Sequence, residues 1–528
     1  MKSIDIPVQS SNLFNRLTLD YLLERAELKE FVFGFPDEQT ILKFVDECKF
    51  DYLNREILVN ELLRQNEVIQ MESAVQSNIN ALREENVFTI TTGHQLCLFT
   101  GPAYFFYKII SVIQLAKKLN GKNTGKRFVP VFWMASEDHD REEMDHTFLF
   151  GKKIQWETSQ KGKVGEFKLQ GLDKTLDSFL ALLGDTDTSR YVHEIFQKGL
   201  DFSGNLSEFT RSFLNQLFGK YGLVIIDGNS LKLKSQFKKE LKRELFERKG
   251  WSCINQTIEK LTALNYPIQV NPREINLFYA ENGLRERIVL EDSEYKILNT
   301  SIQFSKSEME TLVDQHPEKL SPNVVLRPLY QQCVLPNAVY CGGPAEIAYW
   351  LQLKNYFDQS SVHFPVLIPR NSICILDENI FSRWQKLGFD IQDFFKNEEE
   401  LKKDWLRRQE AEISLNDYRQ KTETMFSDLK LFTGTFDSTL VPAVDSEKQK
   451  LLNTISTIEK KINRSLKLKH ETTLGQIGKL KSKVFPEGIF QERRENFFAI
   501  INKYGVNLIE ELIETENPGL TEMSFKLM

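Results

Sequence analysis

The sequence predicts an α/β protein with a Rossmann-like core that carries insertions, followed by a long antiparallel helical hairpin. Between residues 86 and 385, short apolar stretches rich in β-branched and aromatic residues alternate with helical patterns, which is typical of βαβ units in an open sheet. Between residues 386 and 484, apolar residues recur at steps of three and four among many charges, which is typical of paired helices.

The two ends of the chain are predicted to join the core. Residues 1–85 read as helical, because apolar residues recur at helical spacing, as at Ile57, Leu58 and Leu62. Residues 485–528 follow the hairpin and are expected to return to the core.

The first βαβ unit begins at residue 87. Val87–Thr92 is short, apolar and β-branched, and Gly93 ends it, so we predict a buried strand. Pro102 then opens a strongly helical pattern, and Phe128–Met134 forms a second buried strand. This order is the beginning of a doubly wound sheet.

Further strands of the same sheet are expected farther along the chain. The wide spacing between them implies insertions at about 150–220 and about 250–320. The strand candidates are Leu223–Asp227, Ala338–Cys341 and Phe364–Pro369.

The hairpin is predicted from a coiled-coil seam. Its first arm includes Trp405, Ile413 and Met425, and a turn around Gly434 and Pro442 separates it from the second arm. An apolar outer stripe predicts a homodimer through the coiled coil, and the alternative is a solvated two-helix arm without a partner. The second-arm seam consists of Leu451, Ile455, Ile458, Ile462 and Leu466.

Composition excludes several classes of function. The chain has 528 residues, a net charge of −6 and a pI near 5.9, so duplex nucleic acid is a poor partner. No apolar run approaches the roughly 20 residues that span a bilayer, so we expect no membrane partner. The six cysteines are scattered, and the N-terminal residues do not resemble a secretion signal, so we expect free thiols and a cytoplasmic location.

The turn after the first strand is the first candidate site. It lies at the carboxyl end of a strand, where the backbone N–H groups and the positive end of the next helix favour an anion. Thr100 can cap that helix, and the alternative is that the glycines only make the turn. The predicted anion-binding residues are Gly93, His94, Gln95, Thr100, Gly101 and Lys108.

The second candidate site is the acidic segment after the second strand. Glu137, Asp138, His139 and Asp140 stand at the mouth of a buried strand, where charges are costly unless they are solvated, paired or bound to a ligand. Such a group can bind magnesium, accept a proton from an amine or hold a substrate amine. His139 and His146 lack the short spacing that is common among zinc ligands. The alternative to a functional site is a charged loop that is simply solvated.

The third candidate site combines an arginine with a second glycine turn. Arg327 can hold a carboxylate bidentately, whereas Cys341 lacks a nearby base and reads as an inert buried thiol. The remaining predicted members are Gly342, Gly343, Glu346 and Tyr349.

These motifs together resemble one known family. The Gly93–Pro102 turn, the Glu137–Asp140 segment, the Arg327 and Gly342–Glu346 segments, and the late Phe485–Arg493 segment are similar to the BshC family of bacillithiol biosynthesis. The resemblance implies a class I synthetase-like Rossmann core, a coiled-coil dimer and adenine-nucleotide binding. It also implies a ligase that joins the carboxylate of L-cysteine to the amine of glucosaminyl-malate.

We infer a role for each candidate site in such a ligation. Phosphates of ATP would lie at the first turn, with magnesium as a further expected cofactor and no metal held by protein ligands alone. Asp138, His139 and Asp140 would be catalytic, orienting the sugar amine and taking its proton. Glu137 and the Arg327 group would bind substrate. The residues expected to close the site are Gln491, Glu492 and Arg493.

Two other functions remain open from the sequence. One is a non-catalytic nucleotide-binding dimer that acts through its coiled coil, although a scaffold has no use for acids beside a histidine. The other is a class I synthetase-like nucleotidyltransferase, which the acidic net charge disfavours if tRNA is the substrate. The activation chemistry, through an adenylate or an acyl phosphate, also stays open.

Overall fold

The computed structural model of the chain describes residues 2–409, 414–515 and 519–528. The chain divides into two compact units, Met1–Ile375 with Phe490–Met528, and Leu376–Ile489. The C-terminal residues therefore belong to the same unit as the N-terminal ones. Ile413, which the sequence places in the first arm of the hairpin, lies outside the described residues.

Strands and helices alternate through the first unit, and helices dominate the second. The strands are β1 (Lys2–Pro7), β2 (Val87–His94), β3 (Arg127–Met134), β4 (His146–Leu149), β5 (Lys152–Gln155), β6 (Val224–Asp227), β7 (Leu277–Glu281), β8 (Leu284–Glu291), β9 (Glu294–Ile297), β10 (Gln303–Phe304), β11 (Leu320–Pro322), β12 (Asn337–Gly342), β13 (Val366–Pro369), β14 (Ile373–Leu376) and β15 (Glu522–Leu527).

The helices are α1 (Arg16–Leu22), α2 (Glu38–Glu47), α3 (Arg55–Gln65), α4 (Ser73–Ala81), α5 (Tyr104–Asn120), α6 (Arg141–Met144), α7 (Leu172–Leu183), α8 (Asp187–Phe202), α9 (Leu206–Phe218), α10 (Leu231–Ser235), α11 (Lys238–Glu247), α12 (Lys249–Ala263), α13 (Lys306–Gln315), α14 (Arg327–Val334), α15 (Pro344–Leu351), α16 (Lys354–Ser360), α17 (Glu378–Lys386), α18 (Glu398–Arg408), α19 (Asn416–Phe436), α20 (Val441–Lys469), α21 (Glu471–Val484), α22 (Gln491–Arg494), α23 (Phe497–Tyr504) and α24 (Leu508–Glu514).

The central sheet of the first unit has the strand order β13-β12-β2-β3-β6, and each neighbouring pair is parallel. If these five strands are numbered by their order in the chain, their order across the sheet is 5-4-1-2-3, which is the Rossmann arrangement. The predicted Rossmann-like core is confirmed. The order reverses between β2 and β12, so a crevice is expected beyond the carboxyl ends of these strands.

Continuous burial explains why these strands were visible in the sequence. Residues 87–93 of β2 and 128–134 of β3 are buried, because helices cover both faces of the sheet. On one side, α5 packs against β2 and β3 through residues such as Ile109 and Val112, which have no exposed surface. These continuous apolar runs therefore reflect the burial of both faces of the central strands rather than an intrinsic β-propensity of the residues.

The prediction that residues 1–85 form a helical segment holds for α1 to α4 but not for residues 2–7. Residues 2–7 form β1, which pairs antiparallel with β15, more than 500 positions away in the chain. Only Ile6 of this strand is buried, so its side chains show no helical period and only a weak strand pattern. Its partner supplies the backbone hydrogen bonds that define the strand.

The insertion expected at about 250–320 contains an antiparallel sheet with the order β10-β9-β8-β7-β11. The sequence indicated only charges and turns in this region. In β8, charged residues occupy successive positions, and the buried face includes Arg285 itself. A buried arginine hides the alternation of apolar and polar residues that normally identifies a strand.

The second unit contains the predicted hairpin. Helices α19 and α20 are antiparallel, since Arg419 pairs with Glu459 near one end and Lys430 pairs with Asp445 near the other. Several predicted seam residues line an apolar groove on the hairpin, among them Met425 and Leu451. The described residues include no helix with the length and apolarity needed to cross a membrane.

Candidate functional site

A cavity of about 520 Å³ opens at the carboxyl ends of the central strands. It lies at the reversal between β2 and β12, where ligands bind in doubly wound folds. Residues from the ends of β2, β3, β12 and β13 line it, together with residues of β7, β8, α14 and the C-terminal segment. Both of the predicted glycine turns and the predicted acidic segment therefore meet at one cavity.

The two glycines that line the cavity leave space beside arginines. A Cβ atom on Gly93 would lie 3.9 Å from Nη1 of Arg327 and 3.3 Å from the Trp133 carbonyl oxygen. A Cβ atom on Gly343 would lie 3.7 Å from Nε of Arg370. Any side chain at these positions would occupy space next to a guanidinium group.

Lys108 joins the two sides of the strand-order reversal. Its ammonium group donates to the Gly93 carbonyl at 2.7 Å and pairs with Glu346 at 2.6 Å, and the lysine is only 4% exposed. Burial raises the pKa of Glu346, but Lys108 and hydrogen bonds from Gly343 and Tyr340 outweigh it and hold that pKa at about 2. The Lys108 charge is thus already neutralised by a protein carboxylate.

Both carboxylate oxygens of Asp138 accept hydrogen bonds from the protein. It accepts hydrogen bonds from the His139 backbone N–H at 2.7 Å and from the Gln95 side chain at 2.8 Å. Burial would raise the pKa of Asp138, but the interactions with the side chain and backbone of His139, the hydrogen bond from Gln95 and the charge of Arg285 outweigh it and hold the pKa well below its usual range. Gln95 also donates to Glu143, so it links two carboxylates.

Glu137 is held by a lysine that the sequence analysis missed. Lys234 of α10 has no exposed surface, pairs with Glu137 and donates to the Leu320 carbonyl. Burial lowers the pKa of Lys234 to about 8, although Glu137 acts in the opposite direction. Glu137 lines the cavity as predicted, but one of its oxygens is already engaged.

His139 lines the cavity and contacts Arg285, which was also missed. The Arg285 guanidinium donates to Nδ1 of His139 at 2.5 Å and lies 3.9 Å from the centre of the Phe278 ring. It is held from behind by Ser321 and by the Pro322 carbonyl.

Three arginines form the opposite side of the cavity. Arg327 donates to Gln331 at 2.8 Å and lies over the Tyr340 ring. Arg370 follows β13 and makes a bidentate pair with Glu492, at 3.0 and 2.6 Å. Arg370 Nε is buried without a hydrogen-bond partner among the described residues.

Arg493 is the most accessible of the three. It is exposed and makes no ion pair with any described residue, and its guanidinium lies 5.9 Å from the Tyr104 ring centre. Arg370 also lies 5.1 Å from the Tyr104 ring centre, so two guanidinium groups lie near one aromatic ring. Of the residues predicted to close the site, Arg493 is the one that lines the cavity.

His94 lies between the two sides. Its Nδ1 is 3.0 Å from the Gln95 carbonyl, and its Nε2 is 3.1 Å from the Tyr104 hydroxyl. Burial and the nearby charge of Lys108 lower the pKa of His94 to about 3, so it is neutral at physiological pH.

Several predicted site residues do not line the cavity. Asp140 is exposed and precedes the short helix α6, and Gly342 offers its carbonyl to the Arg370 backbone N–H. Gln491 binds the backbone of Ile375 through both its oxygen and its nitrogen. Glu492 is buried behind Arg370, which it holds in place.

Thr100 and Gly101 are also away from the cavity, and Thr100 does not cap the helix. The N-cap of α5 is Ala103, without a side-chain hydrogen bond. Phe99, Thr100 and Gly101 all have positive φ, so the chain makes a left-handed turn before the helix begins. Asn496 stabilises this turn by donating to the carbonyls of Phe99 and Gly101.

Metal binding by protein side chains alone has no clear location. Among residues 2–409, 414–515 and 519–528, no group of three or more His, Cys, Asp or Glu side chains is arranged to hold a metal ion. All six cysteines are described and are free thiols, and burial raises the pKa of Cys341 to about 12, so it is an unreactive thiol at neutral pH.

Comparison with known proteins places this chain in a family. Residues 1–371 match the family description "Bacillithiol biosynthesis BshC, N-terminal Rossmann-like domain", and residues 373–525 match "Bacillithiol biosynthesis BshC, C-terminal coiled-coil domain". The chain belongs to the BshC family. The two matches cover the Rossmann-like core and the hairpin, so both parts of the predicted architecture are BshC features.

Individual BshC relatives match nearly end to end. A protein of Flavobacterium psychrophilum is 40% identical over 97% of both chains, and one of Flavobacterium johnsoniae is 38% identical over 99% of both. A Bacillus cytotoxicus protein is 28% identical over 97% of both chains. All three carry the name "Putative cysteine ligase BshC". The chain is accordingly an enzyme of the ligase class.

Proposed function

We propose that this BshC protein is a cytoplasmic, ATP-dependent ligase that joins the carboxylate of L-cysteine to the amine of glucosaminyl-malate, giving bacillithiol. The names of its relatives support cysteine as a substrate. The side chains that line the cavity at the strand-order reversal carry the charges that these substrates require.

The observation that carries the proposal is the excess of positive charge in the cavity. Five basic side chains line it against three carboxylates, and His94 is neutral. Malate brings two carboxylates and cysteine brings one, so both substrates need guanidinium or ammonium partners. The basic residues are Lys108, Arg285, Arg327, Arg370 and Arg493, and the acidic ones are Glu137, Asp138 and Glu346.

The sugar amine fits the opposite side. Asp138 stays ionised because of its hydrogen bonds and the charge of Arg285, so it can accept a hydrogen bond from the amine and orient it. Fixed orientation of the amine against the cysteine carboxyl group is the contribution expected from a group held by the backbone and by Gln95.

An adenine nucleotide fits the arginines better than the first turn. Lys108 is paired with Glu346, and Thr100 and Gly101 do not line the cavity, so these three residues are poorly placed to hold phosphates. Arg327, Arg493 and the unpartnered Nε of Arg370 are donors of the kind that phosphates bind. When bound, the nucleotide would supply the activation of the carboxyl group, and magnesium would depend on phosphate oxygens for many of its ligands.

The hairpin supports a homodimer. Tyr418, Met425 and Ile458 are 61%, 53% and 47% exposed, and they border an apolar groove along α19 and α20. A second copy of the chain would cover this surface. Sedimentation of the wild type and of Ile458→Lys tests this, with a dimer expected for the former and a monomer for the latter.

The reaction is tested by mass spectrometry of complete and depleted mixtures. Purified protein is incubated with L-cysteine, glucosaminyl-malate, ATP and magnesium, and each component is then omitted in turn. Bacillithiol should form only in the complete mixture, and the appearance of AMP or ADP identifies the activation route. Absence of product from the complete mixture would contradict the proposal.

A further inference from the structure

Arg285 is buried and fixed on several sides. Its side chain is 6% exposed, although it extends from β8 of the inserted sheet to the cavity. Nε donates to Ser321 at 3.0 Å, Nη2 donates to the Pro322 carbonyl at 3.3 Å, and the guanidinium stacks on Phe278. These contacts leave Nη1 directed at His139.

The contact with His139 determines which ring nitrogen carries a proton. A guanidinium group has only donors, so Nδ1 of His139, at 2.5 Å from Nη1, must be the acceptor. Asp138 Oδ1 lies 3.7 Å from the same nitrogen, which is too far for a hydrogen bond. The proton of the neutral ring is therefore on Nε2.

We propose that Arg285 is a positioning residue that keeps Nδ1 of His139 as a hydrogen-bond acceptor, so that the ring carries its proton on Nε2. His139 then acts in the reaction as a hydrogen-bond donor to an oxygen that gains negative charge, and not as the acceptor of the amine proton. This role rests on the proposed ligase function, whereas the protonation pattern does not. It replaces the base role that the sequence assigned to His139.

His146 provides an internal control with the opposite pattern. Its Nδ1 lies 3.2 Å from Oδ1 of the buried Asp145. A carboxylate accepts a hydrogen bond, so Nδ1 of His146 carries the proton. Two histidines of the same segment should thus differ in their protonated nitrogen.

The test is long-range ¹H–¹⁵N NMR of the full-length protein with ring-¹⁵N histidine at neutral pH. His139→Gln and His146→Gln assign the two signals. We expect His139 to be protonated on Nε2 alone and His146 to be protonated on Nδ1. A His139 signal from an imidazolium, or from a ring protonated on Nδ1, overturns the proposal.

Two variants of Arg285 complete the test. Arg285→Met keeps roughly the length of the side chain but has no hydrogen-bond donor. His139 should then no longer be protonated on Nε2 alone, whereas His146 should still be protonated on Nδ1. Arg285→Lys retains a donor and should restore the Nε2–H pattern and most of the turnover. An unchanged His139 signal in a folded Arg285→Met protein contradicts the positioning role. Because no substrate is present in these spectra, a failed ligase assay with the expected spectra would refute only the proposed reaction.

Discussion

At the carboxyl end of β3, the carboxylates of Glu137 and Asp138 each have a partner from another element, Lys234 in one case and Gln95 in the other. We call these two residues the acidic wall. Across the cavity, the basic wall consists of Arg327, Arg370 and Arg493. Two of its members keep unused donors, because Arg493 is exposed without an ion pair to any described residue and Arg370 Nε has no partner there.

The difference indicates a division of labour. Groups that are fully held in advance lower the barrier to reaction by orientation, since their own reorganisation is already complete. Donors that lack a protein partner gain most from an incoming anion, so they contribute to binding. The acidic wall should therefore control turnover, and the basic wall should control substrate affinity.

The largest expected effect comes from the carboxylate behind the basic wall. Glu492→Gln removes one partner of a buried pair with Arg370, and it should lower the free energy of unfolding by about 3–5 kcal/mol. Urea denaturation measures the loss. The control is Glu510→Gln, which breaks an exposed pair with Lys220 and should cost at most about 1 kcal/mol. Equal losses in the two variants would contradict the role given to Glu492.

The next effect concerns the acidic wall. Asp138→Asn should reduce kcat at least about 100-fold with little change in KM, because the amide no longer orients the amine as a carboxylate does. The matched control is Glu142→Gln, an exposed neighbour that does not line the cavity. If Asp138→Asn instead raises KM at constant kcat, the acidic wall is a binding element and the comparison fails.

A smaller effect is expected on the basic wall. Arg493→Ala should raise the KM of glucosaminyl-malate roughly 10-fold and leave kcat nearly unchanged, since an exposed cation contributes mainly to attraction of the anion. The ratio of the KM of Arg493→Ala to the KM of the wild type should fall as salt is added. Arg273→Ala, which removes an exposed arginine outside the cavity, serves as the control. A loss of kcat with constant KM would contradict this assignment.

The smallest effect is a pH dependence located between the walls. The pKa of His94 is about 3 in the folded chain and 6.5 in an ordinary environment. The unfolded chain binds the proton more readily between these values, so stability rises with pH through this range and is lost on acidification. From about pH 7.5 to about pH 5.5, the free energy of unfolding should fall by about 1 kcal/mol more in the wild type than in His94→Gln. Parallel loss in both proteins, measured by urea denaturation, would show that His94 takes up protons freely.

The sequence was sufficient for the central sheet and for much of the cavity. Strands buried on both faces are continuous apolar runs, and the carboxyl ends of parallel strands meet at one edge. Residues directly after those runs, such as Gln95, Asp138 and Gly343, were therefore found. Arg370 also comes directly after a predicted strand, which ends at Pro369. The same rule could therefore have identified Arg370 as a site residue.

The rest depended on contacts between distant segments. Arg285 and Lys234 come from elements with no local signal for burial. Arg285 reaches the cavity from the inserted sheet, and Lys234 of α10 reaches Glu137, which lines the cavity. Asn496, almost 400 positions away in the chain, stabilises the turn at Gly101. The local sequence predicted Thr100 as a helix cap and contained no sign of this distant contact. Strand β1 likewise needed β15 to be recognised.

The central claim is that the substrates bind in the cavity at the strand-order reversal. Calorimetric titration of glucosaminyl-malate into the wild type, Arg327→Met and Arg383→Met tests it directly. Arg327 lines the cavity, whereas Arg383 is an exposed arginine of α17. We expect one site per chain, at least about a 10-fold weaker affinity for Arg327→Met, and no change for Arg383→Met. Equal affinity in all three proteins would show that glucosaminyl-malate binds elsewhere.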